Sequence, residues 1–153
     1  MTAETPNFGA LLAPVLGQVD AGSRPRFLAL LERSAADRYR NWAGLVPEHH
    51  EILLACAGRE DEIADRVEAA FAIDEERLSF LHALLPEARR IYLAAFEGLA
   101  VLDQIRMQAD AELQGAHAWR SIAKLVTDPE VLATLATCSE LEEFSSSEVR
   151  SFL

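Results

Sequence analysis

Four glutamates in this 153-residue sequence lie in segments with helical apolar spacing, where their carboxylates are candidates to converge inside a helical protein: Glu32, Glu60, Glu112 and Glu142. Glu32 is followed by Ala35 and Tyr39, at a spacing that places all three on one stripe of a helix. Carboxylates that converge inside a protein repel one another. Without a metal they must be protonated, paired with arginines or solvated.

The glutamates take part in a weak internal repeat. Residues 47–56 and 129–138 match at Pro, Glu, Leu and Cys without a gap, and a two-residue shift extends the match upstream. The aligned pairs are Glu32 with Glu112, Tyr39 with Trp119, Cys56 with Cys138 and Glu60 with Glu142. Chance is the alternative explanation, since Ala- and Leu-rich helices align easily. The repeat predicts two helical hairpins joined by a long crossover, which is one way to build a four-helix bundle.

The segment 32–39 resembles the first helix of ferritin-like proteins, especially the rubrerythrin branch. In that family the Glu is a di-iron ligand, the small residue permits close helix packing and the Tyr packs beneath the site. Glu112, Gly115 and Trp119 repeat this pattern with Gly and Trp substituted. The resemblance implies an all-α, up-down four-helix bundle in which Glu32, Glu60, Glu112 and Glu142 are the candidate metal ligands.

The sequence departs from the family at the two histidines. The family's Glu-x-x-His segments align with Glu60 and Glu142, but Ile63 and Ser145 occupy the histidine positions. The favoured hypothesis is therefore a decayed di-iron site in a bundle that acts as a binding or interaction module without a cofactor. The alternative is an iron-dependent oxidoreductase with an unusual carboxylate-rich site.

Each glutamate also has a simpler interpretation. Glu60 and Glu142 lie in charge runs typical of a solvated helix face, and a salt bridge would explain Glu32 or Glu112. The arginines within reach along the chain are Arg33, Arg40, Arg59 and Arg120.

Tyr92 and Glu97 provide a third hypothesis, because Glu97 has only apolar residues three and four positions away on either side. It is predicted to be part of a narrow exposed stripe or a buried anchor in a ligand pocket or subunit interface. Tyr39 and Trp119 join Tyr92 and Glu97 as candidate pocket or interface residues. His82 and His117 are isolated and are expected to be ordinary packing residues.

The pattern of prolines, glycines and apolar residues predicts a leader over 1–23, with a candidate short helix over 11–19, and one bundle domain over 24–153. Helix 1 is expected from Ser23 to Gly44, helix 2 over 47–71, a short helix with Asp74 as its N-cap that ends before Pro86, helix 3 over 87–126 and helix 4 from Pro129 to the last residue. Helix 3 would be about 60 Å long. It is expected either to break near Gly115 or to overhang, and the overhang would form a homodimer.

Composition excludes several partners. With 25 acidic and 14 basic residues the formal net charge is −11, which opposes binding to nucleic acids and to anionic membranes. No apolar stretch reaches the length of a membrane span, and the first residues lack the positive segment of a signal peptide, so a cytoplasmic location is expected. Cys56 and Cys138 lie in apolar helical patterns and are expected to be reduced and structural.

Overall fold

A computed structural model describes residues 3–153, and these form an all-α structure. The six α-helices are α1 (Phe8–Leu16), α2 (Arg24–Leu45), α3 (His50–Ala70), α4 (Glu75–Ala94), α5 (Val101–Ala123) and α6 (Pro129–Arg150). Short 3-10 helices, Ala21–Ser23 and Pro47–His49, precede α2 and α3. The predicted all-α class is confirmed, as are the approximate bounds of helices 1, 2 and 4.

Two helical hairpins, α2 with α3 and α5 with α6, make the most extensive contacts in the molecule. They meet chiefly through α3 and α6, whereas α2 and α5 touch much less. Helix α4 connects the two hairpins in the sequence, and it packs on α1 and α2. A space therefore remains between α2 and α5 on the side that α1 covers.

Local sequence explains where several helices begin. The Asp128 carboxylate accepts hydrogen bonds from the backbone N–H groups of Glu130 and Val131, and Pro129 fits the first turn of α6. Asp74 caps α4 as expected, by accepting from the backbone N–H of Arg77 at 2.8 Å. Ser23 occupies the N-cap position of α2, where the helix was expected to start, but its side chain makes no capping hydrogen bond.

The predicted end of the short helix at Pro86 is wrong, because α4 continues through this proline to Ala94. A proline inside a helix removes one N–H donor, which leaves the carbonyl four residues earlier, here that of His82, without its helical partner. Both residues are exposed, so water can reach that carbonyl. The proline is therefore tolerated on the outer face of α4.

The prediction of one continuous helix 3 over 87–126 is also wrong, since α4 ends at Ala94 and α5 begins only at Val101. Gly98 in the intervening turn has φ of +78°, a left-handed conformation that favours glycine. The aromatic residues near this turn do not overhang: the Phe8 ring stacks on Tyr92 at 4.1 Å and on Phe96 at 6.0 Å between centroids. The long helix that motivated the homodimer is absent, and the homodimer itself stays a prediction.

The leader contributes to the core through α1, whose Phe8, Leu12 and Val15 are buried. This helix begins three residues earlier than expected, at Phe8, where the Asn7 side chain accepts from the backbone N–H of Ala10. None of the helices in residues 3–153 combines the length and the apolar character that a membrane span requires.

Candidate functional site

The two hairpins bring four glutamates into the interior of the helical structure, one from each of α2, α3, α5 and α6. One carboxylate oxygen from each of Glu32, Glu60 and Glu142 lies within 4.8 Å of the others. Glu60, Glu112 and Glu142 are 0%, 2% and 1% exposed, and Glu32 is half-buried. The alternative of a solvated helix face is therefore wrong for Glu60 and Glu142.

Two of the four carboxylates are held by neutral hydrogen-bond donors. Glu112 Oε1 accepts from Tyr39 Oη at 2.8 Å and from Gln108 Nε2 at 2.7 Å. Glu142 Oε1 accepts from the indole nitrogen of Trp119 at 3.1 Å. Tyr39 and Trp119 are both fully buried, so their hydrogen bonds orient the carboxylates without neutralising them.

Glu60 differs from the other three because both of its carboxylate oxygens are buried and, within residues 3–153, no hydrogen-bond donor from outside the glutamate cluster reaches them. A buried carboxylate without such a donor carries a large desolvation cost, which proteins normally avoid by pairing or metal coordination. Because Glu60 lies beside Glu32 and Glu142, its negative charge must be neutralised by a bound proton or by a cation.

Burial and mutual repulsion both favour the neutral forms of these acids. Loss of hydration is the main cause that raises the pKa of Glu32, Glu60 and Glu142, and repulsion from neighbouring glutamates adds to it. Burial also raises the pKa of Tyr39, and the Glu112 carboxylate raises it further. Without a cation, Glu32, Glu60 and Glu142 therefore retain protons at pH values where exposed glutamates are ionised.

The four arginines expected as possible partners are paired elsewhere. Their partners are Asp61, Asp65 and Glu68 for Arg33, Asp37 and Asp61 for Arg40, Glu148 for Arg59, and Glu143 for Arg120. Within residues 3–153, no salt bridge involves any of the four cluster glutamates, so the salt-bridge alternative is wrong for Glu32 and Glu112. Arginine does not neutralise the cluster through a direct pair.

The positions where the resemblance places histidines are fully buried. Ile63 packs in an apolar cluster with Val67 and Trp119, and the Ser145 hydroxyl accepts from Arg59 Nε at 2.8 Å. Neither side chain provides a nitrogen donor, so the described donor set consists of carboxylate oxygens. The family's mixed nitrogen and oxygen coordination does not fit this chain, whereas coordination by oxygen alone does.

A cavity of about 510 Å³ opens onto the cluster between α1, α2 and α5. Glu32, Glu112 and Glu142 lie at its polar side. Its apolar lining includes Leu12, Leu16, Leu28, Leu31, Ala35 and Ala111. The volume is within the range of ordinary small-molecule pockets.

The remaining candidate residues differ in their exposure and in whether they line the cavity. Tyr92 lines the cavity, whereas Glu97 is exposed in the turn after α4 and does not line it. His82 and His117 are exposed rather than packed inside, and His117 contributes to the cavity lining. Cys56 and Cys138 are buried free thiols, as expected, and burial raises their pKa values to about 11 and about 12.

Sequence reasoning missed Gln108 and Arg38. Gln108 is four residues before Glu112 on α5, a spacing that brings the two side chains together on a helix, so this contact had a detectable signal. Arg38 lines the cavity and donates from Nη2 to Gln108 Oε1 at 3.2 Å across helices, which no local spacing indicates.

No protein-family model matches this sequence, and no curated protein or solved structure matches it significantly.

Proposed function

We propose that this protein is a ferritin-like helical bundle whose buried glutamates bind divalent metal ions through oxygen atoms alone. The observation that carries the proposal is Glu60, whose two buried oxygens lack hydrogen-bond donors from outside the cluster and lie beside the carboxylates of Glu32 and Glu142. A purely structural role would require these carboxyl groups to keep protons, since burying like charges is unfavourable. Metal coordination would satisfy the free oxygens and remove the repulsion.

The donor set favours hard cations. Carboxylate oxygens suit Mn²⁺, Mg²⁺ and Ca²⁺, whereas the missing histidines remove the nitrogen donors that most favour iron, zinc and copper. Two divalent cations would balance the charge of four carboxylates. We therefore propose Mn²⁺ as the best match, with Glu32, Glu60 and Glu142 as the first ligands and Glu112 completing the set.

The surrounding residues have defined tasks in this proposal. Tyr39 and Gln108 fix one oxygen of Glu112, and Trp119 fixes one oxygen of Glu142, which leaves the second oxygen of each free to face a cation. A bound manganese or iron ion would supply Lewis-acid or redox chemistry at the end of the cavity.

The first experiment is elemental analysis of protein purified without chelator or affinity metal, followed by calorimetric titration of the chelator-stripped protein with Mn²⁺. We expect bound metal in the first step and saturable binding in the second. Glu60→Gln should weaken Mn²⁺ binding by at least about tenfold, because it removes one ligand charge. Glu51→Gln, an exposed glutamate on the same helix, is the matched control and should leave binding unchanged. Absence of metal together with absence of Mn²⁺ binding would reject the proposal.

A second candidate is the metal-free binding module. The raised pKa values of Glu32, Glu60 and Glu142 favour it, because neutral carboxyl groups can donate hydrogen bonds to one another. It predicts no metal and no Mn²⁺ binding. The iron-dependent oxidoreductase predicts instead that anaerobic Fe²⁺ binds and develops an oxidation-linked absorbance on exposure to air.

A further inference from the structure

The cavity beside the glutamates contains one cationic side chain that the metal site does not use. Arg38 lines the cavity, and its guanidinium lies 4.4 Å from the centroid of the Tyr92 ring and 5.6 Å from that of Phe96. Stacking on aromatic rings holds the planar group in a fixed orientation.

The hydrogen-bonding capacity of Arg38 is only partly used. Its Nη2 donates to Gln108 Oε1, while its buried Nε has no partner within residues 3–153. It also forms no salt bridge with a carboxylate of these residues, in contrast to Arg33, Arg40 and Arg59. A guanidinium that is stacked, half-buried and without a direct salt bridge has donors available for an external anion.

The rest of the cavity determines what that anion is attached to. Six aliphatic side chains, Leu12, Leu16, Leu28, Leu31, Ala35 and Ala111, form apolar walls along α1, α2 and α5. These walls gain free energy by excluding water from an apolar chain or ring, but they offer nothing to a strongly hydrated ion such as phosphate.

We infer that the cavity binds an organic carboxylate with an apolar chain, whose carboxylate pairs with Arg38 and whose chain lies along the leucine-lined walls. Gln108 links the two parts of the site, since it accepts from Arg38 and donates to Glu112. The ligand's charged end is thereby placed next to the glutamate cluster. This inference rests on the proposed function in one respect: metal ions in the cluster remove the repulsion between the glutamates and an anionic ligand.

The test is calorimetric titration of Mn²⁺-loaded protein with decanoate, decanol and decylamine, which share a chain and differ in charge. We expect decanoate to bind most tightly. Arg38→Gln should weaken decanoate binding by about tenfold or more and leave decanol binding unchanged. The matched control, Arg89→Gln, removes an exposed arginine from α4 and should change neither. Equal binding of decanol or decylamine, or an unchanged affinity in Arg38→Gln, would overturn the inference.

Two further measurements keep the outcomes separate. Ala35→Leu adds volume to the cavity wall, so it should weaken binding of the chain whatever its charged end, while thermal unfolding shows that the variant is folded. The same titrations in chelator report on the metal. Charge-selective decanoate binding without any Mn²⁺ binding would refute the metal proposal alone, and Mn²⁺ binding without decanoate binding would refute the carboxylate inference alone.

Discussion

Gly115 on α5 lies directly against the carboxylate of Glu142 on α6. A Cβ atom added to Gly115 would stand 2.5 Å from Glu142 Oε1 and 2.9 Å from its Cδ, which is closer than real contacts allow. A break near Gly115 was one of the two alternatives that the sequence predicted. It is absent, because α5 runs through this residue from Val101 to Ala123. Gly115 provides the space that the Glu142 carboxylate occupies.

Gly115→Ala should therefore weaken the proposed metal binding more than it destabilises the fold. The added methyl group must displace the Glu142 carboxylate, which Trp119 otherwise holds, and Mn²⁺ affinity should fall by about tenfold or more. The free energy of unfolding should change little, since alanine gains up to about 1 kcal/mol over glycine in a helix and offsets the displacement. Metal titration and urea unfolding measure the two effects.

Gly58→Ala is the matched control for this prediction. Gly58 is exposed on α3, and an added Cβ would meet nothing within 4 Å. This variant should be more stable by about 0.5–1 kcal/mol and should bind Mn²⁺ as the unmodified protein does. A parallel loss of affinity in both variants would show that the Gly115 effect does not arise from its contact with Glu142.

The stability of the metal-free protein should fall as pH rises. Glu32, Glu60 and Glu142 have pKa values raised above their ordinary 4.5 in the folded state, so the folded protein holds protons that the unfolded chain has released. The contribution of these three groups to the free energy of unfolding is then highest below about pH 4.5. Above that pH it declines by about 1.4 kcal/mol per pH unit for each retained proton, until the folded pKa is reached.

Urea unfolding in chelator at several pH values between about 5 and 8 measures this slope. Glu60→Gln removes one of the titrating groups and lessens repulsion on the others, so its slope should be shallower, whereas Glu51→Gln should retain the original slope. Saturating Mn²⁺ should reverse the trend, because metal ions bind the deprotonated carboxylates. Identical slopes for Glu60→Gln and the unmodified protein would contradict the proton-holding cluster.

The residues that donate hydrogen bonds to Glu112 and Glu142 should affect Mn²⁺ affinity although they are not proposed as metal ligands. Tyr39→Phe removes the hydroxyl that holds Glu112, and Trp119→Phe removes the indole N–H that holds Glu142. Each variant should weaken Mn²⁺ binding by about 10–100-fold, the usual effect of losing a residue that orients a ligand.

Tyr92→Phe is the control for these two variants. Tyr92 is an aromatic residue that lines the cavity beside the cluster, and its ring contacts are with Phe8, Phe96 and Arg38 rather than with a cluster glutamate. Mn²⁺ affinity should be unchanged in this variant. If Tyr39→Phe behaved like Tyr92→Phe, the hydrogen bond to Glu112 would have no part in metal binding.

The sequence predicted the helices better than it predicted their connections. Capping at Asp74, the proline at the start of α6 and the apolar spacing of α2 are local signals that survive in the structure. The break at Gly98 was missed because a single glycine weakens a helix only slightly, and the stacking of Tyr92 and Phe96 on Phe8 joins segments that are far apart in the sequence. Such contacts between distant segments leave no local pattern.

For the candidate site too, local sequence patterns predicted part of the arrangement, and contacts between distant segments were missed. The helix spacing around Glu32 and its alignment with Glu112 predicted which glutamates to consider, and the structure places Glu32 beside Glu60 and Glu142. The charge runs around Glu60 and Glu142 predicted a solvated helix face instead. That prediction failed because neighbouring residues on a helix face different directions, so a buried glutamate can lie between exposed charged residues. The orienting contact from Trp119 to Glu142 and the cavity depend on packing between helices, which one sequence does not reveal.

Histidines at the two positions where the resemblance expects them should change the metal preference of the site. Ile63 and Ser145 are each three residues after a cluster glutamate and are fully buried, so Ile63→His combined with Ser145→His adds one nitrogen donor to each of α3 and α6. Nitrogen donors favour Fe²⁺ over Mn²⁺. Anaerobic titration should show tighter Fe²⁺ binding in the double variant than in the unmodified protein, with little change for Mn²⁺.

The substitutions carry a stability cost that the experiment must separate from the site. Ile63→His places a polar ring in the apolar cluster around Val67 and Trp119, and Ser145→His removes the hydroxyl that accepts from Arg59. Ile63→Gln combined with Ser145→Asn introduces polar side chains without imidazole and is the control. If this control gained Fe²⁺ affinity equally, or if the histidine variant folded and gained none, these positions would not face the metal and the relation to ferritin-like sites would lose its chemical basis.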